Sequence, residues 1–222
     1  MIHFSATKRA QDHGAMNRIA LAAVLALLAA APAAAAAFGA ADQADLRRVS
    51  DYLNSIQSAE GRFLQIGPDG RVEEGRFYLR KPGRVRFEYN PPNPNLIVAD
   101  GVTIAVENSQ LKTTDRYPLT DSPLRLLLSS GVDLGADPRI VSVRREEGGL
   151  GITARQDSGL AQGEITLQFA DAAGALELRQ WEVVDAQGLR TIVAVSEMRR
   201  GVDIPARLFV IEELSPFQRQ QF

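Results

Sequence analysis

The side chains that most often carry out catalysis are scarce in this 222-residue sequence. It contains no cysteine, and its two histidines, His3 and His13, both lie in the first 37 residues. Without an imidazole or a thiol, the rest of the chain cannot build a Ser-His-Asp or Cys-His site, and it cannot bind zinc or haem through histidine. We therefore expect a protein that is not an enzyme and that holds no metal and no cofactor.

Two other routes to catalysis remain open, a pair of carboxylates and a Ser-Lys dyad. The glutamate pairs at 73–74 and 146–147 fall near predicted turns, where carboxylates are usually solvated. After residue 37 the only lysines are Lys81 and Lys112. A carboxylate whose pKa is raised inside a cavity would favour a hydrolase or an isomerase.

The N-terminus has the three parts of a secretory signal peptide. Basic residues precede the apolar run IALAAVLALLAAA at 19–31, and an alanine-rich stretch with several A-x-A sites follows. The run is shorter than the roughly 20 residues that cross a bilayer, which favours cleavage over the alternative of an anchor helix. We predict a signal peptide over 1–37, with Met16 as a possible true start, and one exported domain over 38–222.

The charge of the predicted mature chain is modest. Residues 1–37 hold three of the 25 Lys and Arg residues and one of the 27 Asp and Glu residues, which leaves 22 basic and 26 acidic side chains and a net charge of −4. Nucleic acids require a concentrated basic surface. We therefore expect no nucleic-acid partner.

Hydrophobic periodicity predicts one long helix followed by strands. Between 42 and 57, Leu46, Val49 and Leu53 recur at helical spacing, with charged residues opposite them. The later pattern is of short apolar segments bounded by turn residues such as Asp-Gly. The predicted strands lie near 59–66, 71–80, 84–90, 95–100, 102–107, 110–117, 139–146, 149–156, 163–170, 175–185 and 189–199. Antiparallel strands in sequence order predict a meander, either as an open twisted sheet or curled into a barrel.

A second, short helix is predicted within TDSPLRLLLSSG at 120–131. Ser122 suits the N-cap and Pro123 the first helical position, and Gly131 can end the helix. A helix of roughly eight residues is not stable alone in water, so its leucines must pack on another surface. We expect it to lie across the mouth of the curled sheet.

The strand at 84–90 carries apolar and charged residues on opposite faces. Val85, Phe87 and Tyr89 alternate with charged residues, which is also typical of a half-buried strand in any β domain. However, a barrel of ten or eleven strands encloses more volume than the aromatic residues of this sequence would fill. We therefore expect an apolar cavity, and the large candidates to line it are Phe63, Phe77, Phe87, Tyr89, Phe169, Trp181 and Phe209.

Four segments in a fixed order resemble the LolA family, the periplasmic carriers of outer-membrane lipoproteins. They are EGRFLQ, EEGRFYLRKPGRVRFEYNPPNPNLIVADGVTIAVEN, YPLTDSPLRLLL and LRQWEVVDAQGLRTIVAV. The resemblance covers about 45–209 and is strongest over 61–128. It implies a mainly β (α+β) fold, an unclosed antiparallel β-barrel of about eleven strands with an α-helical lid over an apolar cavity.

The resemblance also implies a function. Such a carrier is a monomer that binds the acyl chains of lipoproteins, takes them from an inner-membrane lipoprotein-releasing ABC transporter and passes them to an outer-membrane acceptor lipoprotein. The acceptor itself is lipidated on an N-terminal cysteine, which this chain lacks. The alternative is a LolA-like module that binds another lipid or senses lipoproteins.

The resemblance implies that Phe87 lies in the cavity and that Leu124, Leu127 and Leu128 lie in the lid, and the strand and helix patterns add the other candidates. The cavity residues are expected to be Phe63, Phe77, Leu79, Val85, Phe87, Tyr89 and Trp181, and the lid residues Leu46, Val49, Leu53, Leu124, Leu127 and Leu128. In the family, an arginine just before a proline hydrogen-bonds the lid and favours the closed form. Lys81 holds that position here, with Arg80 beside it, so the candidate latch is a point charge rather than a planar fork.

Overall fold

The computed structural model describes residues 38–157 and 162–211, and the predicted signal peptide lies outside them. This part of the chain is mainly β. Helix α1 (Ala40–Ser55) is followed by β1 (Ser58–Ile66), β2 (Val72–Arg80), β3 (Arg84–Tyr89), β4 (Asn95–Asp100), β5 (Thr103–Asn108), β6 (Thr113–Pro118), α2 (Arg125–Leu128), β7 (Ile140–Glu146), β8 (Gly149–Gln156), β9 (Gly163–Ala172), β10 (Ala175–Asp185) and β11 (Arg190–Arg200). Each predicted strand overlaps one of these.

All of these strands form one antiparallel sheet that is not closed. Its order is β6-β5-β4-β3-β2-β1-β11-β10-β9-β8-β7. The predicted meander is wrong at one point, because β1 pairs with β11 and joins two separate meanders. The edge strands are therefore β6 and β7, which are neighbours in sequence. The connection at 119–139 has to pass from one edge of the sheet to the other, and it carries α2.

The core lies between the helices and one face of the sheet. Strands from both halves of the sheet contribute buried side chains to it, among them Phe87 of β3, Phe169 of β9 and Val195 of β11. A single core shared by the two halves requires the sheet to curl, so this face is the inner face. Gly75 of β2 allows close packing there, since a Cβ at this position would lie 2.0 Å from the carbonyl oxygen of Glu88.

The second helix is shorter than predicted. A 3-10 turn covers Leu119–Asp121, and α2 is a single turn. The N-cap of α2 is Leu124 and not the predicted Ser122, whose Oγ accepts a hydrogen bond from the backbone N–H of Leu124 at 3.2 Å in the preceding turn. Leu127 and Leu128 are buried in the core. One turn of helix is held by such packing and has little stability of its own.

The end of the described chain packs on the outer face of the sheet. Ile204 and Phe209 are buried outside the main core, as are Val98 and Ala105, a cross-strand pair of β4 and β5. A 3-10 turn at Ala206–Phe209 lies against β3 and β4. Phe209 is therefore not a cavity residue, contrary to the expectation from its size.

Candidate functional site

A small closed cavity lies between the two helices and the inner face of the sheet. Its volume is about 40 Å³, enough for about one water-sized group, since a water molecule occupies about 30 Å³ of liquid. Among the described residues that line it, Lys81 is the only charged one. The lining residues are Leu53, Ile56, Ala59, Phe77, Leu79, Lys81, Val85, Phe87, Leu124, Leu127, Leu128, Leu178, Trp181, Val195 and Met198. The large empty space expected from the strand count is occupied by the leucines of α1 and α2.

Phe87 lies at the centre of the aromatic wall. Its ring centroid is 5.2 Å from that of Phe63, 6.4 Å from Phe77 and 6.3 Å from Trp181. The rings of Phe63 and Phe87 meet edge to face, a favourable arrangement for aromatic pairs. The aromatic rings of the wall therefore pack against one another.

Two of the predicted cavity residues pack behind this wall. Phe63 and Tyr89 contact each other edge to face at 5.0 Å, and neither lines the cavity. The hydroxyl of Tyr89 donates a hydrogen bond to Oε1 of Gln65 at 2.9 Å, and burial raises the pKa of Tyr89 to about 12. The other five predicted cavity residues line the cavity.

The predicted lid residues divide in the same way. Leu53, Leu124, Leu127 and Leu128 line the cavity. Leu46 and Val49, which also belong to α1, are fully buried but do not line the cavity. We use the name lid for α1 together with the segment 119–131.

Sequence reasoning missed five lining residues. On β10, a β-bulge between Leu178 and Gln180 shifts the register, so that Leu178 and Trp181 face the same cavity although three positions separate them. Period-two alternation cannot detect such a pair. The other missed residues are Ile56, Ala59, Val195 and Met198. Of these, Val195 could have been found from its alternation with Val193 on β11.

The turn between β2 and β3, residues 81–83, holds both parts of the lid. Nζ of Lys81 donates to the carbonyl oxygen of Leu53 in α1 at 2.8 Å. The backbone N–H of Gly83 donates to the carbonyl oxygen of Leu128 in α2, also at 2.8 Å. Arg80 lies differently, because its guanidinium donates to the carbonyl oxygen of Ile204 at 3.4 Å. Of the two predicted latch residues, only Lys81 contacts the lid.

Lys81 is unusual in being a buried cation. Lys81 is 7% exposed. The loss of hydration lowers the pKa of its ammonium to about 8. The ion pairs found among residues 38–157 and 162–211 all involve arginine, so no carboxylate compensates this ammonium. The lysine keeps its proton at neutral pH at a cost in free energy.

Helix α1 is tied to the sheet by several polar contacts. Arg145 of β7 contacts Asp42 at 2.9 Å and Asp45 at 2.6 Å. Arg48 contacts Asp171 at 2.8 Å, and its guanidinium holds the pKa of Asp171 below the usual value. These contacts join α1 to β7 and β9.

The loop after α2 is also tied to α1. Nδ2 of Asn54 donates to the carbonyl oxygen of Val132, and the N–H of Val132 donates to Oδ1 of Asn54, both at 2.8 Å. By contrast, among the described residues α2 contacts the sheet through its buried leucines and the β2–β3 turn through the bond from Gly83. A single helical turn between two tied segments is the weakest part of the lid.

A larger groove of about 340 Å³ lies beside the cavity and shares Leu124 with it. Its apolar side chains include Ile97, Ile104 and Ile165. Its charged residues are Asp121, Arg139, Arg155, Glu164 and Asp185.

The glutamates considered for catalysis do not lie in this site. Glu74 pairs with Arg62 at 3.7 Å on an exposed part of β2, and Glu146 is exposed at the end of β7. Within the described ranges, no three His, Cys, Asp or Glu side chains come together in a way that could hold a metal ion. The helices described there are too short or too polar to cross a membrane.

Known proteins are similar to this chain over most of its length. The family model of the outer membrane lipoprotein carrier protein LolA matches residues 54–212. A Bordetella avium protein named outer-membrane lipoprotein carrier protein is 30% identical over 207 residues, covering 88% of this chain and 89% of its own. A protein of the same name from Xanthomonas campestris pv. campestris is 31% identical over 182 residues, covering 73% of this chain and 81% of its own. A solved LolA superfamily protein from Nitrosomonas europaea aligns with a TM-score of 0.43 at 12% identity, covering 77% of this chain and 97% of its own.

Proposed function

The chain belongs to the LolA family of outer membrane lipoprotein carrier proteins, and we propose that it carries lipoproteins by enclosing their acyl chains between the lid and the inner face of the sheet. The observation that best supports this is the cavity itself. Its wall is apolar except for one lysine, and four of its fifteen lining residues, Leu53, Leu124, Leu127 and Leu128, belong to the lid. Such a site binds hydrocarbon and does no chemistry on it.

The proposed route crosses the periplasm. The protein takes an acylated lipoprotein from an inner-membrane lipoprotein-releasing ABC transporter and delivers it to an outer-membrane acceptor lipoprotein. Each buried CH₂ group contributes roughly 0.8 kcal/mol, so a 16-carbon chain exposed to water costs roughly 13 kcal/mol. A lipoprotein without a carrier would not leave the membrane at a useful rate.

The closed cavity is far smaller than an acyl chain, so loading requires the lid to open. We place the movement at α2, since α1 is tied to β7 and β9 through Arg145 and Arg48. Displacing Leu124 would connect the cavity of about 40 Å³ to the groove of about 340 Å³. A weak lid suits a carrier, because a small free-energy gap between the open and closed forms allows both uptake and release.

Lys81 is the proposed latch of the closed form. Its bond to the carbonyl oxygen of Leu53 joins the β2–β3 turn to α1, and the same turn holds α2 through Gly83. The β2–β3 turn therefore forms hydrogen bonds to both parts of the lid. Movement of this turn on loading would release α2 while α1 stays in place.

A release experiment tests the proposal. Inner-membrane vesicles that contain the transporter and a labelled acylated lipoprotein are incubated with ATP and the purified protein, then sedimented. We expect the lipoprotein in the supernatant, in a one-to-one complex, only when both the protein and ATP are present. Lipoprotein that still sediments with the vesicles would contradict a carrier role and leave a sensing module as the better explanation.

A further inference from the structure

We propose that the cavity also binds free long-chain fatty acids, with the carboxylate on Nζ of Lys81 and the chain along the apolar wall. This ligand differs from a lipoprotein, whose acyl chains end in uncharged ester and amide groups. The inference rests on the proposed acyl-binding cavity and adds an anionic head-group site to it.

The ammonium of Lys81 has donors to spare. A lysine ammonium carries three N–H donors, and the hydrogen bond found for this one is the bond to the carbonyl oxygen of Leu53. The residue is 7% exposed and lines the cavity, so water reaches the remaining donors poorly. These donors can bind the oxygens of a ligand without breaking the contact to α1.

The charge of this group favours an anion. A buried cation without a counter-ion is unfavourable, and a carboxylate brought beside it offsets part of that cost. The other residues that line the cavity, among them Leu79, Val85 and Leu128, are apolar and suit hydrocarbon. A cation at one point of an otherwise apolar cavity matches a molecule with one anionic end and a long apolar chain.

A lipid phosphate has the same general chemistry as a carboxylate, but it fits this site less well. Among the described residues that line the cavity, Lys81 supplies the only positive charge, and the neighbouring guanidinium of Arg80 donates instead to Ile204 on the outer face. One ammonium balances the single charge of a carboxylate. A phosphate monoester would bring up to two negative charges and a third oxygen that lacks a donor here.

Trp181 allows a direct test, since it is the only tryptophan in the sequence and it lines the cavity. Quenching of its fluorescence by 9,10-dibromostearate and by the methyl ester of that acid is measured at pH 7 with the purified, delipidated protein. The two probes share the chain and differ in the charge of the head. We expect the acid to bind about tenfold more tightly than the ester, because a hydrogen bond between an ammonium and a carboxylate is stronger than one to a neutral ester oxygen.

Two variants assign the preference to one residue. Lys81→Met should bind acid and ester equally, whereas Lys81→Arg should keep a preference for the acid. Lys112→Met is the matched control, since Lys112 is exposed on the β5–β6 connection and should leave the preference unchanged. Circular dichroism of each variant checks that the fold is retained.

Several outcomes would overturn the inference. Equal binding of the acid and the ester by the unaltered protein would remove the head-group site and leave the proposed acyl cavity intact. Failure of both probes to quench Trp181 would remove the cavity as well. A preference for a brominated lysophosphatidate over the fatty acid, lost in Lys81→Met, would assign the site to phospholipid instead.

Discussion

Replacing Phe87 by glutamate is expected to reduce lipoprotein release from membrane vesicles to the level seen without the protein. The Phe87 ring lies within 6.4 Å of the rings of Phe63, Phe77 and Trp181, measured between centroids, and it forms the middle of the cavity wall. A carboxylate there would have to be desolvated whenever an acyl chain enters. We also expect the free energy of unfolding to fall by about 3–5 kcal/mol, as for other large losses of buried aromatic area.

Controls must separate loss of loading from loss of folding. Phe87→Leu keeps the wall apolar and should release lipoprotein within a few-fold of the unaltered protein. Val102→Glu places the same charge on a residue that is 76% exposed at the β4–β5 turn, and it should change neither release nor stability. A folded Phe87→Glu protein that releases lipoprotein normally would show that Phe87 is outside the acyl site.

The second large effect concerns pH and Lys81. Burial lowers the pKa of Lys81 to about 8 in the folded protein, against an ordinary value of 10.5. Between these two values the unfolded state binds more protons than the folded state, so stability should rise with pH through this window. We expect the free energy of unfolding of the unaltered protein to rise by about 2 kcal/mol between pH 7 and pH 10, relative to that of Lys81→Met.

Urea unfolding of both proteins at pH 7, 8, 9 and 10 measures this difference. The comparison with Lys81→Met is necessary because burial raises the pKa of Tyr52 and Tyr89, which lowers stability above about pH 10 in both proteins. These contributions cancel in the difference. Parallel pH profiles for the two proteins would mean that the Lys81 ammonium is better hydrated than its burial indicates.

Local patterns in the sequence were sufficient to locate most of the structure. The strands follow from alternation between turn residues, because hairpin turns specify which neighbours pair. The spacing of Leu46, Val49 and Leu53 gave α1, and the alternation of Val85 and Phe87 gave the inward face of β3. Each of these signals depends on residues a few positions apart.

The features that were not predicted depend on contacts between distant residues. No turn joins β1 to β11, so their pairing leaves no local signal. The bulge on β10 breaks the alternation that would have identified Leu178. The burial of Lys81 could not be seen either, since a lysine in a turn is normally exposed and only the tertiary fold brings Leu53 to it.

The most direct test of the carrier account is to purify the protein without detergent from cells that export it and to measure, by native mass spectrometry, the mass of what remains bound. The account predicts a fraction of one-to-one complexes with triacylated lipoproteins, and their loss in Phe87→Glu. A protein that carries only another class of lipid, or that is empty under conditions in which lipoproteins are being exported, would contradict it.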